Sequence, residues 1–91
     1  MLTNFHIYKI EESYLETRGE LLKQTLKKWL KENNTDATVD ILILGNKYGD
    51  LIIDYESDIK NSQKIKMLVE QILTRFNIEI KYENQIDDFD F

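Results

Sequence analysis

Residues 37–56 constrain this chain more than any other stretch. Val39, Ile41 and Ile43 alternate with Thr38, Asp40, Leu42 and Leu44, and Leu51, Ile53 and Tyr55 alternate with Ile52, Asp54 and Glu56. A period of two sends successive side chains to opposite faces of an extended strand. Between the two runs lies Gly45-Asn46-Lys47-Tyr48-Gly49-Asp50, whose glycines accept the positive φ that a connection can require. The stretch predicts an antiparallel hairpin. A hairpin alone is marginal in water, so the remaining chain must cover one of its faces.

Two helical stretches are available for that. Ser13-Tyr14-Leu15-Glu16 fits a capping box, with Ser13 accepting an orphan backbone N–H and Glu16 reaching back. Leu15, Leu22, Leu26 and Trp29 then recur on one helical face, which Leu30 widens. Gly19 inside this stretch costs up to ~1 kcal/mol relative to alanine. Asn33-Asn34-Thr35-Asp36 predicts the helix end, because short polar side chains compete for the backbone. After the polar segment from Ser57 to Asn61, Ser57 or Ser62 offers a second cap. Ile65, Leu68, Val69, Ile72 and Phe76 follow the pattern of one apolar helix face, and Asn77 suits a left-handed position at its end.

Shorter alternations flank these elements. Phe5 and Ile7 alternate with His6 and Tyr8, and Ile78, Ile80 and Tyr82 alternate with Glu79, Lys81 and Glu83. The order β-α-β-β-α-β is that of the ferredoxin-like split βαβ plan. It predicts an α+β domain over residues 1–83, with a four-stranded antiparallel sheet in the order 4-1-3-2 and two helices on one face. Residues 84–91 form an acidic-aromatic tail. The alternation assigns Phe5, Ile7, Val39, Ile41, Ile43, Leu51, Ile53, Ile78 and Ile80 to the covered face. His6, Tyr8, Leu42, Leu44, Ile52, Asp54 and Glu56 are assigned to the open one.

Composition removes several classes of function. The chain has 91 residues, no cysteine and one histidine. Disulfides, a thiol nucleophile and a thiolate zinc site are therefore excluded. The longest uninterrupted apolar run is Ile41-Leu42-Ile43-Leu44, too short to span a bilayer, and Met1 to His6 lack the pattern of a secretory leader. A cytoplasmic protein is expected.

Charge is segregated within the net -5. Lys47 faces five carboxylates between residues 33 and 56, namely Asp36, Asp40, Asp50, Asp54 and Glu56. Residues 84–91 add Asp87, Asp88 and Asp90 with no base. The basic residues gather in the two helical stretches, with Lys23, Lys27, Lys28 and Lys31 on the first.

Few residues have a pattern that suggests catalysis. His6 stands alone, without a carboxylate at ligand spacing, so neither a metal site nor a triad is predicted from it. Asp54, Glu56 and Asp58 resemble the start of a calcium loop, but Ile59 and Ile65 occupy the positions that need glycine and glutamate. No glycine-rich phosphate cradle, nucleophile elbow or two-histidine helix motif occurs. The small acyl-phosphate hydrolases built on the same plan need an arginine after the first strand, where this chain has Ile10-Glu11-Glu12-Ser13. No enzyme activity, cofactor or metal is expected. RNA-recognition sheets stack bases on central-strand aromatics. Tyr8 offers one ring, but Asp54 and Glu56 on the other central strand would repel phosphate, so direct nucleic-acid binding is not expected.

Two surfaces remain. In the tail, Asp87, Asp88 and Asp90 are interleaved with Ile86, Phe89 and Phe91, a pattern that pairs charge with apolar anchors. On the open sheet face, apolar residues are interspersed with Asp40, Asp54 and Glu56, as at protein-interaction surfaces. The expected function is a small acidic protein-binding protein acting as an inhibitor of the phage anti-defence or immunity type. It would occupy the basic, nucleic-acid-binding surface of a partner through Asp50, Asp54, Glu56, Asp87, Asp88, Phe89, Asp90 and Phe91. The alternative is a regulatory or ligand-sensing module that forms a homodimer through the open sheet face.

Overall fold

The computed structural model describes residues 3–56 and 59–79. Over these the chain runs β1 (Thr3–Glu11), α1 (Glu12–Glu32), β2 (Thr38–Leu42), β3 (Tyr48–Glu56) and α2 (Ile59–Arg75). The strands form one antiparallel sheet in the order β1-β3-β2. The architecture is α+β, with two helices and a three-stranded sheet. Ile78 and Glu79 lie outside any strand, and the rest of the expected fourth strand falls outside the described residues.

The hairpin forms as the alternation predicts, pairing Thr38 with Asp54 through Leu42 with Asp50. Its first strand is shorter than expected. Ile43 and Leu44 leave the ladder and are exposed, because the connection is drawn onto the start of α1. Glu12 donates its backbone N–H to the Lys47 carbonyl at 2.9 Å, and its carboxylate accepts the Leu44 N–H at 3.0 Å. Gly45, at φ +81°, lets the loop turn between these two bonds.

The same contacts displace the expected capping box. The helix starts at Glu12, so Ser13 lies inside its first turn, where its carbonyl accepts the Thr17 hydroxyl. A loop carbonyl satisfies one of the orphan N–H groups in place of a side-chain cap. Glu12 is also buried against the helix N-terminus, where a negative charge is favoured.

The far ends of both helices are closed by asparagine. Asn34 and Asn77 sit at φ 62° and 60°. Thr35 donates to the Leu30 carbonyl and Asn34 to that of Lys31; Ile78 donates to Leu73 and Asn77 to Thr74. Each is the paired closure of a Schellman motif, with asparagine tolerating the left-handed position.

The core lies between the helices and one sheet face. Leu22, Leu26 and Leu30 of α1 meet Ile65, Val69 and Leu73 of α2 over Val39, Leu51, Ile53 and Tyr55 of the hairpin. The hairpin's expected covered face is thereby correct over Val39, Ile41, Leu51 and Ile53. On β1 the assignment is reversed. Tyr8 (1% exposed) and Ile10 (4%) are in the core, whereas Phe5 is 58% exposed. The register supplies the reason. His6, Tyr8 and Ile10 pair with Ile53, Leu51 and Gly49, so they share that face; Phe5 and Ile7 pair with Asp54 and Ile52 on the other. A one-residue shift in parity moves every side chain of a strand across the sheet.

This facing makes a direct prediction. Ile10→Asp would bury an unpaired carboxylate and should cost several kcal/mol in urea unfolding. Phe5→Asp, on the uncovered face, should cost less than about 1 kcal/mol. Equal losses would contradict the facing of β1.

Candidate functional site

The sheet face away from the helices presents a register grid of three strands. Phe5, Asp54 and Thr38 are aligned at one end, Ile7, Ile52 and Asp40 across the middle, and Lys9, Asp50 and Leu42 at the other end. Ile7 and Ile52 are half-buried and form an apolar centre, and Phe5 and Leu42 are exposed at opposite corners. Ordinary surface strands would place polar residues at these positions. A large aromatic left more than half exposed beside apolar neighbours marks a surface suited to a partner.

The hairpin carboxylates expected to bind a partner share this face but differ in availability. Asp50 is bound by the Lys9 ammonium at 2.7 Å, so its charge is locally balanced. Such a half-exposed pair contributes up to about 1 kcal/mol. Asp54 lies between Phe5 and Thr38, and Glu56 continues the same side of β3 at its exposed end. Glu56 also donates its backbone N–H to Asp36 at 3.3 Å, which places a further carboxylate at that end. Asp40 flanks Ile52 from β2. Asp87, Asp88, Phe89, Asp90 and Phe91 lie outside the described residues.

Phe5, Ile7 and Lys9 were missed as members of this face because β1 was read in the opposite parity. No local pattern in β1 finds them, because the parity is set by its pairing along β3, which puts Tyr8 and Ile10 opposite Leu51 and Gly49 on the core side. Burial of Tyr8 takes that ring off the open face, where Phe5 is the exposed aromatic of β1 instead.

A separate polar cluster joins the sheet to α2. The His6 ring lies 5.1 Å from that of Tyr55, with Nε2 at 2.8 Å from the Tyr55 hydroxyl. The Ser62 hydroxyl is 2.6 Å from the same tyrosine oxygen, and the Ser62 carbonyl is 3.4 Å from Nε2. We assign the neutral ring with Nε2 accepting from Tyr55, whose oxygen then accepts from Ser62. Among the described residues no carboxylate hydrogen-bonds the ring, so the orienting group of an acyl-transfer triad is missing there. Nor do those residues gather three histidine, aspartate or glutamate side chains suited to a metal ion. No helix among them is long and apolar enough to cross a membrane.

Comparison of the chain with protein-family models, curated proteins and solved structures finds no match.

Burial lowers the His6 pKa from its usual 6.5; the Ser62 carbonyl opposes this, Lys66 adds to it and Glu70 opposes it. A lowered folded-state pKa means that the unfolded chain binds the proton first. The stability contributed by neutral His6 should therefore be complete above pH 6.5 and lost as pH falls through the folded-state value. Urea unfolding between pH 7 and 5 should show a steeper decline for the native chain than for His6→Gln. Parallel declines would exclude His6 as the source.

Proposed function

We propose that this chain is a small acidic protein-binding protein that occupies a basic, nucleic-acid-binding surface of another protein. The observation that supports it best is the composition of the uncovered sheet face. Its apolar centre is flanked by Asp40, Asp54 and Glu56, for which no basic partner stands among the described residues, while its one lysine is engaged with Asp50. Carboxylates two apart on an antiparallel strand, such as Asp54 and Glu56, repeat at roughly 6.8 Å. That is about twice the 3.4 Å axial rise per phosphate of one DNA strand. Lysines and arginines arranged to hold phosphates would find counter-charges on this face, and Phe5 would supply the buried anchor. The same arrangement disfavours self-association, since two such faces would set acid against acid.

In this proposal residues 80–83 add a fourth strand outside β1, which completes the order 4-1-3-2, and Asp87 to Phe91 extend the acidic surface. Residues 77–79 lead to that edge. Asn77, Ile78 and Glu79 line the same cleft as Lys9, Ile10 and Glu11 at the end of β1. The setting is cytoplasmic, and the proposed biological class is an inhibitor of the phage anti-defence or immunity type.

The test uses a partner captured from cytosolic extract and then purified. Charge pairs at an interface rim chiefly accelerate association, whereas a buried aromatic chiefly slows dissociation. Asp54→Lys combined with Glu56→Lys should reduce the on-rate about tenfold at low salt and flatten its salt dependence. Phe5→Ala should raise the off-rate and leave that salt dependence unchanged. Excess DNA should displace the native chain. Unchanged rates in both variants, or a complex indifferent to DNA, would refute the proposal. A dimer in sedimentation that dissociates in Phe5→Asp would assign the face to a second copy instead.

A further inference from the structure

A second surface, of opposite sign, lies at the far edge of the sheet. β2 pairs only with β3 among the described residues, so its outer backbone groups face a groove. The other wall is α1, which approaches β2 closely enough that a Cβ on Gly19 would stand 3.3 Å from Ile41. The groove has a volume of about 440 Å³, and Lys23, Lys27 and Lys31 line it with Ala37, Val39 and Asp40. No carboxylate among the described residues pairs with the three lysines. Asp36, at the groove's end, is bonded to the Glu56 backbone, and Asp40 belongs by alternation to the opposite sheet face.

We propose that this groove binds an extended acidic peptide segment of another protein, added as a strand to the edge of β2. The spacing carries the proposal. Lysines four apart on a helix repeat every 6.0 Å or so, and alternate side chains of a strand repeat every 6.8 Å or so. A strand laid against β2 would turn every second side chain toward the helix layer. Carboxylates at its first, third and fifth positions therefore meet Lys23, Lys27 and Lys31 in turn as it runs along residues 35–40, the strand-side wall of the groove, which includes the first three residues of β2. Backbone pairing supplies affinity independent of sequence, and the lysine row selects the alternation. A nucleic acid would gain from the lysines but has no use for the strand's N–H and C=O groups. This surface shares only Asp40, on the β2 edge, with the acidic face and does not depend on the function proposed for it.

The test is a titration of the full chain, labelled with ¹⁵N, by a capped seven-residue peptide that alternates glutamate with threonine. A peptide of the same composition with its glutamates consecutive serves as the comparison. Saturable shifts centred on the amides of residues 38–40 are expected, with the consecutive peptide about fivefold weaker. Lys27→Glu should weaken the alternating peptide about tenfold, and high salt should weaken it further. Equal binding of the two peptides, or shifts confined to α1, would overturn the proposal, as would the absence of saturable binding. Displacement of the peptide by heptathymidylate at lower concentration, without shifts in β2, would assign the groove to nucleic acid. Concentration-dependent shifts of the β2 amides before any peptide is added would assign it to a second copy. A lysine row that merely guards a strand edge against pairing would bind neither ligand.

Discussion

The contact between the start of α1 and the base of the hairpin determines most of what surrounds it. A Cβ placed on Gly49 would lie 2.8 Å from Leu15 Cδ1 and 2.8 Å from the Leu42 carbonyl, with Glu12 Cγ at 3.3 Å. Only glycine allows helix, strand and loop to approach so closely. The approach in turn brings the Glu12 carboxylate to the Leu44 N–H and the Lys47 carbonyl to the Glu12 N–H. Gly49 is thus required for its missing side chain, and Gly45 for its positive φ. Glycine also permits the second close approach, at Gly19, where the helix crosses Ile41. The helix penalty of a mid-helix glycine is offset there by packing of the helix on the sheet.

The junction also decides which face is open. With Gly49 directed at Leu15, the alternate residues Leu51, Ile53 and Tyr55 must face the helices. Asp50, Ile52 and Asp54 then face away. Because β1 pairs along the whole of β3, its own parity follows from this register and not from its own hydrophobicity. The exposed Phe5 and half-buried Ile7 are consequences of the register, and the acidic apolar face exists because of them.

This explains what was legible in the residues and what was not. The hairpin, both helices and the asparagine helix ends follow from local patterns, since alternation, 3.6-residue periodicity and left-handed tolerance are properties of short segments. The parity of β1 is not local. Phe5, Ile7, Tyr8 and Ile10 are apolar on both faces of one strand, so only the pairing partner selects between them. The cap was misread for a related reason. Ser13 and Glu16 satisfy the local motif, but a carbonyl 35 residues away, at Lys47, reaches the helix first. Of the candidate site, Asp54 and Glu56 follow from the alternation of β3, whereas Asp50, read as part of the connection, joins them only because β3 begins at Tyr48, and its pairing with Lys9 needs the sheet to be seen.

The net charge of -5 is a poor guide to what such a molecule attracts. Charges separated by more than about 8 Å are largely screened at physiological ionic strength, so a partner senses the local face and not the total. Here the sheet divides the charge. Asp54 and Glu56 lie on the side away from the helices, Lys23, Lys27 and Lys31 lie on the helix side of the β2 edge, and Asp40 stands at the edge between them. The lysines repeat every four residues because the adjacent, leucine-bearing stripe of α1 must face the core, which leaves the flanking positions to solvent. The carboxylates repeat every two because they alternate with the core residues of a strand. One buried core therefore fixes the spacing of both charged arrays, at values set by helix and strand geometry. That makes the two surfaces opposite in sign and close in pitch, at about 6.0 and 6.8 Å, and each is suited to a ligand of the opposite charge with a similar repeat.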